Sequence, residues 1–232
     1  MENWHEQKWA DRTIVALDCS RERAYELAKI LEGNAKWLKI GMTLFYQEGP
    51  KIVKEFKDMG FNIFVDLKLH DIPHQVEGAT KSVIETGADM FTCHASGGPE
   101  MLKAIAQASA GKAISLGVTV LTSLSDEDLA TMGYKNKSAE QVSLFAGLVK
   151  QAGLSGVVCS AQEAKMLREQ LGPDAYIVTP GIRPANAEVG DQSRVTTPEM
   201  AFRGGSSHIV VGRPITAAED PLQAFLDITK QD

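Results

Sequence analysis

The segment Asp66-Leu-Lys68-Leu-His-Asp71-Ile-Pro73 brings charges of both signs together at the end of a short apolar run. Asp66 and Lys68 are two residues apart, so on an extended backbone their side chains lie on one face. Two carboxylates and an ammonium cannot share a buried site unless they pair, because burying an unpaired charge is too costly. With Lys39, which lies near the end of the preceding apolar run, the set has two lysines and two aspartates of alternating sign. Such clusters are usually functional, so these four residues form the candidate catalytic group.

Two later loops each carry a glycine and an arginine, a combination suited to binding phosphate. One loop contains Pro180 and Arg183, with Gln192 further along it, and the other contains Gly212 followed by Arg213. A glycine N–H can approach a phosphate oxygen closely, and an arginine adds a charged two-pronged donor. The alternative for each loop alone is a turn with a surface arginine. The repetition of the chemistry favours a shared phosphate site.

Other polar candidates are weaker. His70 and His74 have the spacing of a helical metal pair, but Pro73 interrupts the helix and no third ligand is obvious, so we expect no metal. Cys159 has no neighbouring base in the sequence and is expected to serve in packing. His94 fits either a supporting role near the site or a structural hydrogen bond.

The elements that must position these groups alternate regularly along the chain. Short apolar runs, several without polar alternation, are typical of strands buried on both faces. Eight such runs occur, at 13–17, 36–40, 62–66, 90–93, 113–120, 156–159, 176–179 and 208–211. The segments between them predict helices at 20–31, 49–59, 76–85, 99–108, 139–152, 161–171, 198–202 and 221–228.

Eight strand–helix units in one domain favour a (β/α)8 TIM barrel, in which the candidate groups meet at the carboxyl ends of the strands. A doubly wound sheet is the alternative, but no G-x-G-x-x-G follows the first strand. The 232 residues fit one domain, 1–232, with residues 1–11 a surface arm.

Composition narrows the classes of partner. The net charge is −6, no cluster of lysine and arginine occurs, and no apolar run is long enough for a membrane span, so neither nucleic acid nor a membrane is expected. No secretory signal is visible at the start. Three scattered cysteines without a C-x-x-C motif favour a reducing compartment, the cytoplasm.

The chain resembles the orotidine 5′-phosphate decarboxylase family, in particular its bacterial branch. The most specific match is the segment 66–73, which has the family's D-x-K-x-x-D-I-P signature. The resemblance extends over nearly the whole chain, through the segments 14–18, 118–123, 179–184, 190–192 and 212–214.

The resemblance implies a (β/α)8 barrel, a homodimer with shared sites, and no metal or organic cofactor. It implies that Lys68 is the proton donor, and that Asp71 reaches into the partner subunit's site. The substrate contacts it implies are Asp18, Lys39, Asp66, Gln75, Thr122, Pro180, Arg183, Gln192, Gly212 and Arg213. Gln75 stands where the family usually has threonine, which affects a ribose contact made across the dimer rather than the catalytic group.

The implied reaction is loss of CO2 from C6 of orotidine 5′-phosphate, which gives UMP in pyrimidine biosynthesis. The carbanion left at C6 is poorly delocalised, so a fixed ammonium can stabilise it and then protonate it. One rival is a Mg²⁺-dependent sugar-phosphate decarboxylase or aldolase of the same superfamily, which shares D-x-K-x-x-D. The other is a non-catalytic nucleotide-phosphate-binding barrel, which would not need Lys68.

Overall fold

The computed structural model describes residues 3–183 and 196–230. Eight parallel strands close into a barrel in sequence order, and the closure is made by pairing of the first strand with the eighth, with Ile14 opposite Val210. The barrel prediction is therefore confirmed, and the doubly wound alternative is wrong because an open sheet has no such pairing. The strands are β1 (Thr13–Ala16), β2 (Trp37–Gly41), β3 (Asn62–Leu69), β4 (Met90–His94), β5 (Ile114–Val118), β6 (Gly156–Val158), β7 (Tyr176–Thr179) and β8 (His208–Val211).

All eight predicted helices occur, with shifted ends. The described helices are α1 (Arg21–Leu31), α2 (Met42–Glu48), α3 (Lys51–Asp58), α4 (Pro73–Glu85), α5 (Pro99–Ser109), α6 (Asp126–Thr131), α7 (Ser138–Ala152), α8 (Ala164–Leu171), α9 (Pro198–Arg203), α10 (Arg213–Thr216) and α11 (Pro221–Thr229). The additional α2 ends at Glu48 and is followed by Gly49 with φ 72°, so the next helix starts later than predicted. The additional α6 is fixed by a capping box between Ser125 and Asp128.

Side-chain alternation along the strands separates an apolar barrel interior from a polar upper layer. Ala16, Trp37 and Phe64 belong to the apolar cluster inside the barrel. The residues two positions further along their strands or strand ends are Asp18, Lys39 and Asp66. Because successive side chains on a strand point to opposite faces, these charged residues face the same interior at its carboxyl end. Asp18, Lys39 and Asp66 therefore lie above an apolar layer of the barrel interior.

The amino-terminal segment, expected as a surface arm, packs aromatic side chains against the barrel. Trp4 is 9% exposed, and Trp9 stacks on Phe202 with ring centroids 5.0 Å apart. The guanidinium of Arg12 lies 4.5 Å from the centroid of the Phe202 ring. These contacts attach residues 3–12 to the rest of the domain.

The buried side chain of His208 on β8 should make the stability of the fold depend on pH. Its ring is buried beside Trp37 and Tyr176, and burial lowers the pKa of His208 to about 3. The unfolded chain therefore binds more protons than the folded one below pH ~6.5, so stability falls as the pH falls. Between pH 7 and pH 5, the lowered pKa of His208 should reduce the free energy of unfolding by about 2 kcal/mol.

Urea unfolding at pH 7, 6 and 5 measures that loss in the wild type and in His208→Gln. The pKa of His94 is also lowered, chiefly by burial, so part of the pH dependence should remain in the variant. Equal pH dependence in the two proteins would contradict the assignment to His208.

Candidate active site

A cavity of about 530 Å³ opens at the carboxyl ends of the strands. Nine residues selected from the sequence line it: Asp18, Lys39, Asp66, Lys68, Thr122, Pro180, Arg183, Gly212 and Arg213. They come from strand ends on both sides of the barrel. The structure therefore brings the charge cluster and the phosphate candidates to one cavity.

The charges form a chain of alternating sign across β1, β2 and β3. Lys39 Nζ lies 3.0 Å from Asp18 Oδ1 and 3.6 Å from Asp66 Oδ2. Lys68 Nζ donates a hydrogen bond of 2.9 Å to Asp66 Oδ1. The Lys39 side chain is 9% exposed and that of Asp66 is 15% exposed, so water screens the centre of this chain poorly.

Asp66 keeps its negative charge at the centre of the cluster. Burial would raise the pKa of this carboxyl, but the ammonium groups of Lys39 and Lys68 oppose that effect. Hydrogen bonds from Lys68 and Thr92 add to the opposition, and the pKa of Asp66 lies below its usual value. A carboxylate that stays charged gives the Lys68 side chain a fixed ionic partner beside the cavity.

A bulge in β3 brings Asp66 and Lys68 to the cavity. Val65 pairs with Phe91 and Leu69 pairs with Cys93, so four steps along β3 match two along β4. Lys68 lies inside this bulge with φ 55°, in the left-handed region that side chains rarely adopt. Backbone strain of this type is concentrated at functional sites.

Two of the predicted site residues lie away from this cavity within the chain. Asp71 and Gln75 are exposed, and neither lines the cavity. The carboxylate of Asp71 accepts a hydrogen bond of 2.7 Å from the backbone N–H of Ile72, and within residues 3–183 and 196–230 it forms no ion pair. Within one chain the structure brings Lys39, Asp66 and Lys68 together but leaves Asp71 outside their cavity, because β3 ends at Leu69, before Asp71.

The phosphate candidates lie on the neighbouring ends of β7 and β8. Val178 pairs with His208, which places the two following loops side by side. Arg183 is 7% exposed, whereas Arg213 is exposed at the start of the short helix α10, whose N-cap is Gly212. A Cβ added at Gly212 would meet only Ala16 within 4 Å, so its backbone faces open space. Gln192 lies outside the described residues.

Some residues of the site carry no signal in the sequence. Met42 and Thr43 line the cavity from the first turn of α2, a helix that was not predicted. Gly41 is more informative, because a Cβ there would lie 2.7 Å from Asp18 Oδ1 and 3.0 Å from Lys39 Nζ. Only glycine at position 41 leaves room for the ion pair between Asp18 and Lys39. The need for glycine cannot be read from the sequence, because it arises from contacts between different strands.

Gly41→Ala should therefore damage the site without damaging the fold. The methyl group would displace the ends of two flexible side chains, so the stability should change little. Displacing a charged hydrogen bond should lower kcat/KM about 10-fold or more for the substrate proposed below. The control is Gly147→Ala in α7, where the nearest atom to the added methyl is Gln170 Nε2 at 3.6 Å. Equal activity of both variants would contradict this role of Gly41.

The structure gives the remaining candidates, Cys159 and the three histidines, no clear catalytic or metal-binding role. Cys159 is 1% exposed and burial raises the pKa of its thiol well above the usual value, so it is a poor nucleophile. The ring of His94 lies 5.4 Å from that of His70, which precedes the helix containing His74. Among the described residues, no group of three or more His, Cys, Asp or Glu side chains could hold a metal ion.

Comparisons with known proteins agree with this geometry. The family model for the orotidine 5′-phosphate decarboxylase / HUMPS family matches residues 11–228. An orotidine 5′-phosphate decarboxylase of Saccharophagus degradans is 47% identical over 222 residues, which are 94% of this chain and 93% of that protein. The corresponding protein of Idiomarina loihiensis is 47% identical over 221 residues, covering 94% and 96%.

A comparison with solved structures also finds an orotidine 5′-phosphate decarboxylase. The crystal structure of orotidine 5′-phosphate decarboxylase from Lactobacillus acidophilus matches with a TM-score of 0.84 and 39% identity, covering 94% of this chain and 97% of the other. No helix in the described part of the chain is long and apolar enough to cross a membrane. With the family model matching nearly the full length, this chain belongs to the orotidine 5′-phosphate decarboxylase / HUMPS family.

Proposed function

We propose that this protein converts orotidine 5′-phosphate to UMP and CO2, without a metal or organic cofactor, as a step of pyrimidine biosynthesis. The observation that carries the proposal is the ion pair of 2.9 Å between Lys68 Nζ and Asp66 Oδ1 at the cavity wall. Arg183, Gly212 and Arg213 line the same cavity from the ends of β7 and β8. A substrate with a reacting ring and a remote phosphate fits this separation of groups.

Lys68 supplies both the stabilising charge and the proton. When the bond between C6 and the carboxyl carbon breaks, its electron pair stays on C6 and CO2 leaves. The Lys68 ammonium stabilises the developing negative charge and then gives C6 a proton. The neutral amine left behind takes a proton from solvent. Asp66 holds the ammonium in place throughout, while Lys39 and Asp18 bind the ribose.

Phosphate binding contributes to the rate although it is remote from C6. Contacts of Arg183, Arg213, Gln192 and the Gly212 N–H with the phosphate fix the position of the ring. Thr122 and Pro180 also line the cavity. Of these two substrate-binding residues, Thr122 contacts the pyrimidine. Binding energy from the phosphate thus offsets the cost of orienting the substrate.

We also propose that the active unit is a homodimer in which Asp71 completes the partner subunit's site. Asp71 is exposed and has no ion pair in its own chain within the described ranges. Large apolar side chains are exposed at the same end of the barrel, with Met42 at 45%, Tyr46 at 75% and Ile72 at 64%. A second subunit covering them would bring Asp71 and Gln75 towards the neighbouring cavity.

The cytoplasm is the compartment we propose for this reaction. Cys19, Cys93 and Cys159 are all free thiols. Free thiols persist in a reducing compartment.

The proposed activity is tested by following the ultraviolet absorbance of orotidine 5′-phosphate with protein dialysed against EDTA. We expect the substrate band to decay and UMP to form at the same rate with and without added Mg²⁺. Activity that appears only with Mg²⁺ would favour the sugar-phosphate chemistry of the superfamily. Substrate that binds without decaying would favour a binding protein.

Arg213→Ala should weaken turnover specifically through the phosphate. A charge-assisted hydrogen bond is worth ~1.5–3 kcal/mol, so kcat/KM should fall ~10–150-fold. The phosphate-free nucleoside orotidine should react equally slowly with both proteins, because it lacks the group that Arg213 binds. Arg213→Lys should recover activity only in part, since lysine cannot form the planar fork. A similar loss with orotidine would mean that Arg213 supports the fold or the pyrimidine site.

A further inference from the structure

Thr92 on β4 contacts both of the groups that define the charge cluster, although it does not line the cavity. It is 1% exposed. Its Oγ1 accepts a hydrogen bond of 3.0 Å from the backbone N–H of Lys68. The same hydroxyl donates a hydrogen bond of 2.9 Å to Asp66 Oδ1. One side chain therefore connects the backbone of the proton donor to the carboxylate that holds its ammonium.

These contacts lie at the bulge in β3. Between the pairs Val65–Phe91 and Leu69–Cys93, the register shifts and the regular ladder is interrupted. The Lys68 N–H, with φ 55° at its residue, is therefore bonded to a side chain across the bulge. A left-handed lysine persists only when its surroundings hold it there. The hydroxyl of Thr92 supplies part of that hold.

Two donors converge on one carboxylate oxygen. Lys68 Nζ and Thr92 Oγ1 each lie 2.9 Å from Asp66 Oδ1. The threonine bond fixes the rotation of the carboxylate, and the carboxylate in turn fixes the ammonium. Loss of the hydroxyl would leave the backbone N–H of Lys68 without that acceptor and would let Asp66 rotate.

We propose that Thr92 is a positioning residue for decarboxylation, which holds Asp66 and Lys68 so that the ammonium faces C6 of the substrate. The inference rests on the proposed function. Thr92 acts through its two neighbours and does not contact the substrate. A residue of β4 thus fixes the geometry of the bulge in the neighbouring strand β3.

The test compares two variants at Thr92 with one control. Thr92→Val removes the hydroxyl and keeps the shape, whereas Thr92→Ser keeps the hydroxyl. The control is Thr80→Val in α4, since Thr80 is also fully buried and its hydroxyl has no hydrogen-bond partner among the described residues. We expect Thr92→Val to lower kcat about 10- to 100-fold with KM nearly unchanged, and Thr92→Ser to recover most of the loss.

A pH profile distinguishes positioning from general damage. The hydrogen bond from Thr92 helps to keep the pKa of Asp66 low, so Thr92→Val should move the acidic limb of kcat/KM to higher pH. Thr92→Ser and Thr80→Val should leave that limb in place. Thermal melting confirms that the variants are folded, and Thr92→Ala replaces Thr92→Val if the valine variant is unfolded.

The outcomes separate this inference from the proposed function. Wild-type kcat and an unmoved acidic limb in folded Thr92→Val would overturn the role of Thr92 while decarboxylation stands. If the wild type itself does not decarboxylate the substrate, the proposed function fails. The carbon-13 NMR titration of the Asp66 carboxyl then decides on Thr92. A higher titration midpoint in Thr92→Val supports the contact, and an unchanged one overturns it.

Discussion

Lys68→Ala should reduce turnover of orotidine 5′-phosphate by at least about 10⁴-fold, because it removes both the stabilising charge and the proton donor. Binding of the product UMP should persist, since the proposed phosphate contacts lie at the ends of β7 and β8 and not on β3. The measurements are kcat from the absorbance change and the dissociation constant of UMP from calorimetry.

The matched control is Lys103→Ala on α5. This lysine is 53% exposed and pairs with Glu100 three residues before it, so its loss should leave turnover and UMP binding unchanged. A folded Lys68→Ala protein with turnover near that of the wild type would contradict the assigned mechanism. Loss of UMP binding together with turnover would point to general damage of the cavity.

Mixing two inactive proteins, Lys68→Ala and Asp71→Ala, should restore activity if the site is shared between subunits. In a mixed dimer, one site has lost both residues and the other combines an intact Lys68 with an intact Asp71 from its partner. Random exchange makes about half of the dimers mixed, so about a quarter of the sites should work. The measurement is kcat per site after subunit exchange, verified by mass spectrometry of the intact dimers.

Each variant alone, taken through the same exchange step, is the control and should stay inactive. If Asp71 acts within its own chain, every site in the mixed dimer carries one damaged residue, and no activity returns. Recovery of about a quarter therefore supports the shared site, while complete exchange without recovery contradicts it.

The positions of the charged groups could be predicted because strands alternate their side chains. Asp18, Lys39 and Asp66 each follow an apolar interior residue by two positions, so a local pattern places them at the carboxyl end of the barrel. A count of strand–helix units does not by itself distinguish a closed barrel from an open sheet. The number eight and the absence of a dinucleotide-binding motif favour the barrel. The structure confirms that choice through the pairing of β1 with β8.

The details that position the charges could not be predicted, because they depend on contacts between distant residues. The bulge in β3 is defined by its register against β4, and the need for glycine at Gly41 comes from Asp18 on another strand. Nothing in the sequence distinguishes Thr92 from other strand residues. Its role is visible only from the hydrogen bonds of its hydroxyl with Asp66 and Lys68. Spacing alone groups Asp71 with the cluster, but it does not show where the turn after β3 leads.

The central claim is that the Lys68–Asp66 pair removes CO2 from C6 of orotidine 5′-phosphate without a metal. The most direct measurement uses substrate labelled with carbon-14 in its carboxyl group and protein dialysed against EDTA. The account predicts that one labelled CO2 is released for each UMP formed, at a rate that added Mg²⁺ does not change. Label that stays in solution, or release that requires Mg²⁺, would contradict it.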